Sequence, residues 1–415
     1  CITGAAPPRE GSAQKPVPRT LTSPADGRPA LRQTPDEFQA AAEALAEGRG
    51  PFAIDTERAS SFRYDDRVFL LQVRRRGAGT FLFAPEGARR ELTAALKPVL
   101  GGEDWVLHAA GTDLGPLSWL GLEPGRLFDT ELAGRLAGFD RVNLAAMLER
   151  VFDVTLLKGH GAEDWSTAPL PAEWLDYAAL DVELLLELAE ALTEILDSQG
   201  KLEWAEEDFR ALAAEHRSEP RPERRWDRVK SIGKLRSPRQ LAVARGLFEW
   251  REDRARKEDL SPHLVMRDRA LLALAENPPR SPAEVRRAPY MGSRQRGLER
   301  EIMDAVTKAL KSPRSRWPRR LEPRHEHPPH QSWPSRYPKA AAALEAIRGR
   351  LDTLSERIDV PRENIVQPSA LRAVVWDATE RGTVHSTRDL QLDLSERGAR
   401  PWQRELVVPL MAGLY

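Results

Sequence analysis

The feature that most constrains this chain is a change of hydrophobic period near residue 130. Before it, apolar residues come in short runs: PFAIDTE (51–57), VFLLQVRR (68–75), GTFLFAP (79–85), DWVLHAA (104–110) and RLFDT (126–130). Short apolar runs bounded by Gly, Pro or Asp read as strands. Helical patterns lie around them. One starts at Thr34-Pro35-Asp36 and leads into EFQAAAEALAEG; others are ARRELTAALKPVL (88–100) and TDLGPLSWLG (112–121). After residue 130 the period is helical, and PAEWLDYAALDVELLLELAEALTEILDSQG is predicted as one long helix from near Pro171. Three strands, then strand and helix in alternation, then helices predict an α/β domain with a mixed sheet and helices on both faces.

A chain of 415 residues has room for two to three domains. Residues 1–35 are rich in Pro, Gly, Ser and Ala without periodicity, so they are predicted to be a disordered tail. The α/β domain is expected over 36–215. The stretch 216–234, HRSEPRPERRWDRVKSIGK, has the composition of a basic linker. An all-helical module is expected over 235–313, a Pro/Arg-rich linker over 314–335, and a second all-helical module over 336–415. The two modules share a layout: a long Arg/Ala/Leu helix, a Pro-marked break, then shorter helices.

Formal net charge is zero, with 63 basic and 63 acidic side chains, but the balance is uneven along the chain. Residues 217–320 hold 28 Lys/Arg against 14 Asp/Glu. Basic side chains interleaved with aromatics hold phosphates and stack bases. That singles out Arg224, Arg225, Trp226, Arg228, Lys230, Lys234 and Arg236 in the first linker, and Arg316 and Trp317, beside Arg314, Arg319 and Arg320, in the second. The competing reading is a solvated linker. The one cysteine, Cys1, leaves no intramolecular disulfide and no multi-Cys zinc site. We read Cys1 as a chain start that lost its Met, rather than as a lipidated residue. No apolar run nears the ~20 residues of a membrane span. The expected compartment is the cytoplasm, with no membrane and no protein partner implied.

Acidic residues carry the chemistry. Asp55 and Glu57 stand at i, i+2 in a strand, so both side chains leave one face. Taken alone, the pair also reads as a solvated strand end with Arg58 as partner. Asp113 follows a strand across a Gly turn, a position that a helix N-cap explains equally well. Tyr177 and Asp181 stand at i, i+4 on one helix face with Leu170, Trp174 and Leu184.

In order, D-x-E on a first strand, an Asp after the fourth strand and Y-x3-D on a late helix resemble the DEDD 3′→5′ exonucleases of the Tyr subgroup. HAAGTDLGPL, LFDTELAGRL and DWSTAPLPAEWLDYAALDVELLLEL are similar to the surrounding motifs of the ribonuclease D family. Residues 235–313 resemble an HRDC domain, and 336–415 its divergent second copy. The resemblance covers about 36–415. It implies a ribonuclease H-like exonuclease fold followed by two small all-α HRDC-type domains. It also implies two divalent cations, Mg²⁺ or Mn²⁺, and hydrolysis of RNA 3′ ends, structured or tRNA-like, to nucleoside 5′-monophosphates. Asp55 would bridge both ions, Glu57 and Asp181 would complete the site of the ion that generates the nucleophile, and Asp113 would hold the other through water. Tyr177 would orient the attacking water. The alternatives are a DNA 3′→5′ exonuclease and an inactive nucleic-acid-binding scaffold.

One departure is Ala168 before Pro169, where the family usually carries Arg; the role of that Arg, contacting phosphate or bracing the third-motif helix, is in doubt here. Among other polar residues, His108 reads as a core or strand-end histidine. Lys158 reads equally as a phosphate contact or a solvated lysine. His325, His327 and His330 have metal-ligand spacing, but they lie in a linker with no fold to set their geometry.

Overall fold

The computed structural model describes residues 19–156, 159–319, 321 and 326–414. Eight strands form: β1 (Arg19–Leu21), β2 (Leu31–Arg32), β3 (Arg49–Arg58), β4 (Val68–Arg76), β5 (Gly79–Phe83), β6 (Asp104–Leu107), β7 (Arg126–Asp129) and β8 (Val154–Leu156). Six make one mixed sheet in the order β2-β5-β4-β3-β6-β7. Strand β3 is central. It runs antiparallel to β4, placing Asp55 opposite Gln72 and Glu57 opposite Leu70, and parallel to β6.

Alternation along β3 sorts its side chains between two layers. Phe52 and Ile54 enter the main core beside Phe38 of α1 (Pro35–Ala46) and Leu92 and Leu96 of α2 (Arg89–Leu100). Helix α1 starts at a full capping box, in which Thr34 accepts from the Glu37 N–H and Glu37 answers at Thr34 N. Ala53 leaves the other face and packs with Val106, Leu185 and Leu186. Asp55 and Glu57 share that second face.

The chain reaches the second face after α3 (Leu114–Trp119), α4 (Thr130–Leu136) and α5 (Leu144–Phe152). The predicted single helix from Pro171 is two: α6 (Ala172–Glu183) and α7 (Leu185–Ser198), broken at Leu184 with φ −116° and ψ 15°. The halves share β3 and diverge from it, α6 over β4 and β5, and α7 over β6. A straight helix cannot follow the twist between them.

Two boundary expectations change. Residues 19–35 are not a disordered tail: β1 pairs with β8, β2 pairs with β5 at the sheet edge, and Arg28 forms an ion pair with Asp176 on α6. Residues 216–234 are more than a linker. Val229 and Ile232 are buried, with Leu235, in the core of the first helical module.

That module comprises α9 (Pro238–Glu258), α10 (Pro262–Val265), α11 (Asp268–Glu276), α12 (Pro282–Arg287) and α13 (Glu299–Lys311), following α8 (Leu202–Glu215) of the α/β domain. It has its own core around Leu241, Leu247, Leu271, Ile302 and Val306. Polar contacts fasten it to the β3–β4 loop. Asp259 accepts from Arg67 at 2.7 and 3.0 Å, Ser261 N–H donates to the Phe62 carbonyl at 3.0 Å, and the Tyr64 ring lies between the guanidinium groups of Arg224 (5.0 Å) and Arg256 (5.3 Å).

The second helical module comprises α14 (Trp333–Arg336), α15 (Pro338–Ile358), α16 (Arg362–Ile365), α17 (Pro368–Trp376), α18 (Thr387–Glu396) and α19 (Pro401–Leu410). Its apolar interior is continuous with the core of the α/β domain. At the seam, Trp204 of α8 stacks on Trp402 of α19 at 4.9 Å and 10°. Among the described residues, no helix is long and apolar enough to cross a membrane.

Candidate active site

Strand β3 carries Asp55 and Glu57 out of the sheet, and α6 crosses that face with Tyr177 and Asp181 one turn apart. The crossing brings Asp55, Glu57 and Asp181 together, each placing a carboxylate oxygen within 4.8 Å of the others. Removal from water, then repulsion from Asp113 and Asp181, pushes Asp55 well above the usual carboxylate range. Burial, then Asp55 and the other acids, lifts Glu57 to about 10, and burial lifts Asp181 to about 7. Three such acids cannot all ionise unaided near neutral pH, so the site favours a positive charge among them. The donors are oxygens alone, which suits a hard divalent cation.

Asp113 stands outside this trio, at the start of α3, and is buried. One of its oxygens accepts from Thr56 Oγ1 and, at 3.2 Å, from Arg58 Nη1; the other accepts from Thr112 Oγ1 at 2.9 Å. Burial still raises it. Arg58 is therefore a partner of Asp113 through the opposite face of β3, along with a 3.8 Å contact to Asp66.

The turn that carries Asp113 is held by Asp129, the N-cap of α4. Its carboxylate accepts from the N–H groups of Ala109 (3.1 Å), Ala110 (2.9 Å), Glu131 (2.8 Å) and Leu132 (3.3 Å). Ala109 adopts a left-handed backbone at φ 57° to present its N–H. His108 sits beside this turn with Nδ1 2.9 Å from Thr130 Oγ1, and burial pushes its imidazole down to about 4.

Tyr177 hydrogen-bonds Asp181. Burial and the nearby acids raise its phenol above the ordinary value, so the hydroxyl keeps its proton and donates. The ring is fixed by His160, edge-on at 5.9 Å and 86°, and by Trp165 at 6.4 Å. Gly159 lies against it so closely that a Cβ there would come 1.7 Å from Tyr177 Cε2. Sequence reasoning missed Thr56, Arg58, Asp129, Gly159 and His160 in these supporting roles. The family-like stretch LFDTELAGRL already contained Asp129, and a glycine on each side of His160 was a further signal. Near Ala168, Arg63 Nε donates to Ser166 Oγ at 2.7 Å, and α6 is braced by Arg28 on Asp176.

The basic candidates scatter. Arg224 donates to the Tyr64 carbonyl at 2.8 Å and lies 3.6 Å from Glu252. Arg225 forms a two-bond pair with Asp227, and Arg228 lies 3.9 Å from the same carboxylate. Trp226 is half-buried against the core of the first module. Lys230, Lys234 and Arg236 are exposed. Arg316 is exposed too, while Trp317 donates from Nε1 to Ser312. Lys158, Arg320 and His325 lie outside the described residues. His327 packs edge-on against Trp333 at 5.3 Å, and neither it nor His330 belongs to a potential metal-holding group among the described residues.

Comparison with known proteins matches the architecture piece by piece. Residues 30–197 match the family model described as a 3′-5′ exonuclease, 240–300 that of the HRDC domain, and 326–414 that of a 3′ to 5′ exonuclease C-terminal domain. The last module thus has a family description of its own, distinct from HRDC. Ribonuclease D of Nitrobacter hamburgensis is 30% identical over 310 residues, 72% of this chain and 73% of the relative. A crystal structure of a protein from Bifidobacterium adolescentis is 34% identical, with a TM-score of 0.84 over 96% of this chain and 99% of that one. Escherichia coli RNase D, described as an exoribonuclease involved in structured RNA processing, shares the fold at 24% identity and a TM-score of 0.66, over 89% of this chain and 99% of that one. The chain belongs to the ribonuclease D family of 3′→5′ exoribonucleases.

Proposed function

We propose that the protein trims the 3′ ends of structured RNA, tRNA precursors among them, by hydrolysis that depends on two Mg²⁺ or Mn²⁺ ions and releases nucleoside 5′-monophosphates. One observation carries the proposal: Asp55, Glu57 and Asp181 converge within 4.8 Å at the end of a buried central strand, where none of them ionises easily alone. Bound divalent cations would acidify the attacking water and stabilise charge on the leaving 3′-oxygen. The residues of this chain do the rest. Asp55, Glu57 and Asp181 would hold the ion that serves the nucleophile, and Asp113 would help to hold the other. Thr56, Thr112 and Arg58 orient Asp113. Tyr177, kept protonated, gives its hydroxyl as a fixed hydrogen-bond partner for the attacking water and leaves deprotonation to other groups. Exposed Lys230, Lys234, Arg236 and Arg316 add charge for the phosphate backbone.

The test is digestion of end-labelled RNA and DNA of one sequence with Mg²⁺, Mn²⁺ or EDTA. The expected result is stepwise 3′ shortening of RNA with either metal and none with EDTA. Cleavage in EDTA would remove the metal mechanism, and faster digestion of DNA would overturn the RNA assignment.

A further inference from the structure

Aromatic side chains offered by the linkers have structural jobs: Trp226 covers the core of the first helical module, and Trp317 caps the end of α13 through Ser312. Among the described residues, two large hydrophobic side chains stand strongly exposed, and one of them is Tyr290, 59% accessible, in the α12–α13 loop. Its backbone is left-handed at φ 66°, a conformation that a bulky residue rarely adopts. The strain cannot be blamed on a loose loop. Gln295, nearly buried, donates to the Val265 carbonyl at 2.6 Å and accepts from the Gly292 N–H at 2.8 Å, and Met291 packs inward against the core. The loop therefore turns Met291 toward the core and the larger ring out.

One arginine lies at the ring, and three more stand in the same loop and the helix before it. The Arg269 guanidinium lies 5.0 Å from the Tyr290 centroid, and Arg269, Arg287, Arg294 and Arg296 are exposed. No ion pair engages these four among the described residues, whereas neighbouring Arg286 is held by Glu299 at 2.9 Å. A cavity of about 570 Å³ opens beside them, lined by Arg286, Met291, Gly292, Arg296 and Glu299.

We infer that the α12–α13 loop is a single-strand RNA site, in which an unpaired base stacks on Tyr290 and the flanking phosphates pair with Arg287, Arg294 and Arg296. An exposed π-face backed by a guanidinium is the arrangement that captures a base without regard to its identity. The fixed left-handed backbone holds the ring outward before RNA arrives, so little freedom is lost on binding. The site rests on the exoribonuclease reading above and adds to the exposed linker cations a second RNA grip on the α12–α13 loop.

Affinity for an unpaired oligoribonucleotide is measured in EDTA, which separates binding from turnover. Tyr290→Asn tolerates the left-handed backbone but lacks the ring; it should weaken binding about tenfold, the loss of one base stack, with the salt slope intact. Tyr290→Trp should bind within about twofold of wild type. The Arg294→Gln/Arg296→Gln double variant should flatten the slope of log affinity against log salt by about 1.4, two phosphate contacts on a single strand. Tyr290→Asn binding as tightly as wild type, or a double variant with an unchanged slope, overturns the site. Failure of the wild-type protein to shorten RNA would instead sink the exoribonuclease reading, so the two outcomes are separable.

Discussion

Asp55 has two acids on one side and Asp113 on the other, and its removal from the set is the sharpest single test at the residue scale. Asp55→Asn keeps the shape and hydrogen-bonding size of the side chain but withdraws the charge. It should abolish hydrolysis while RNA binding in EDTA stays near wild type; a rate within about tenfold of wild type would show that the cluster is not catalytic. Tyr177→Phe should cost ~10²-fold or more, within the range for a positioned proton-handling group, since the ring packing survives and only the hydroxyl is lost. Gly159→Ala tests the same hydroxyl from outside. The new methyl would fall inside the Tyr177 ring envelope, so the ring must move, and the rate should drop at least as far as in Tyr177→Phe with thermal stability little changed. A Gly159→Ala enzyme of normal rate would mean that Tyr177 need not be fixed.

At the scale of elements, the second motif is a turn assembled by a neighbouring strand end. Asp129 satisfies four backbone N–H groups in a buried corner, so Asp129→Ala should destabilise the protein by about 2–4 kcal/mol in denaturant unfolding and slow catalysis through displacement of Asp113. The same corner sets a pH response. His108 is neutral in the fold down to about pH 4, against an ordinary value of 6.5. The unfolded chain takes up that proton first, so this contribution is present in full above pH 6.5 and is lost as pH falls toward 4, by up to about 3 kcal/mol. Asp129 acts in the opposite sense. Its carboxyl is raised to about 6 by burial, so its contribution is lost as pH rises from about 4 to 6. The two offset in wild type. His108→Gln removes one of them, and its stability relative to wild type should rise steadily between pH 6.5 and 4; a constant difference across that range would contradict a buried neutral His108.

Across the whole molecule, the two helical modules are fastened by different physics. The first docks through charge, with Asp259 on Arg67 and Arg63 and with Tyr64 between two arginines, beside the loop that follows Glu57. The second shares an apolar core with the catalytic domain. Salt near 1 M shortens electrostatic reach to about 3 Å. Amide exchange should therefore quicken in residues 59–67 and at the end of α9 as salt is raised, while α19 keeps its protection. Equal response of both seams would refute the distinction. Trp402→Ala removes half of a stacked pair from the second seam and should cost about 3–5 kcal/mol.

The acids, their order, the strand that carries Asp55 and Glu57 and the strand that precedes Asp113 were legible in the sequence, because strand alternation and helical spacing are local rules that act over a few residues. Local rules also gave α1 its start at Thr34. What the spacing of Asp55, Glu57 and Asp181 could not show is that they meet, since α6 lies more than a hundred residues from β3 and is brought over it by packing alone. The same holds for the break at Leu184: nothing in LDVELLLELAE, which has neither Gly nor Pro, marks a helix end, and only the change of strand partner decides where it bends. Residues 19–35 looked structureless because strands of two and three residues have no period to read; β5 and β8 give them their order. Arg224 and Trp226 looked free because composition records charge and aromaticity but not occupancy, and Glu252, Tyr64 and the first-module core occupy them. Residue types and local spacing thus determined the chemistry available to this chain, and the long-range contacts, which depend on how twisted layers can close over one another, decided which side chains are in reach of it.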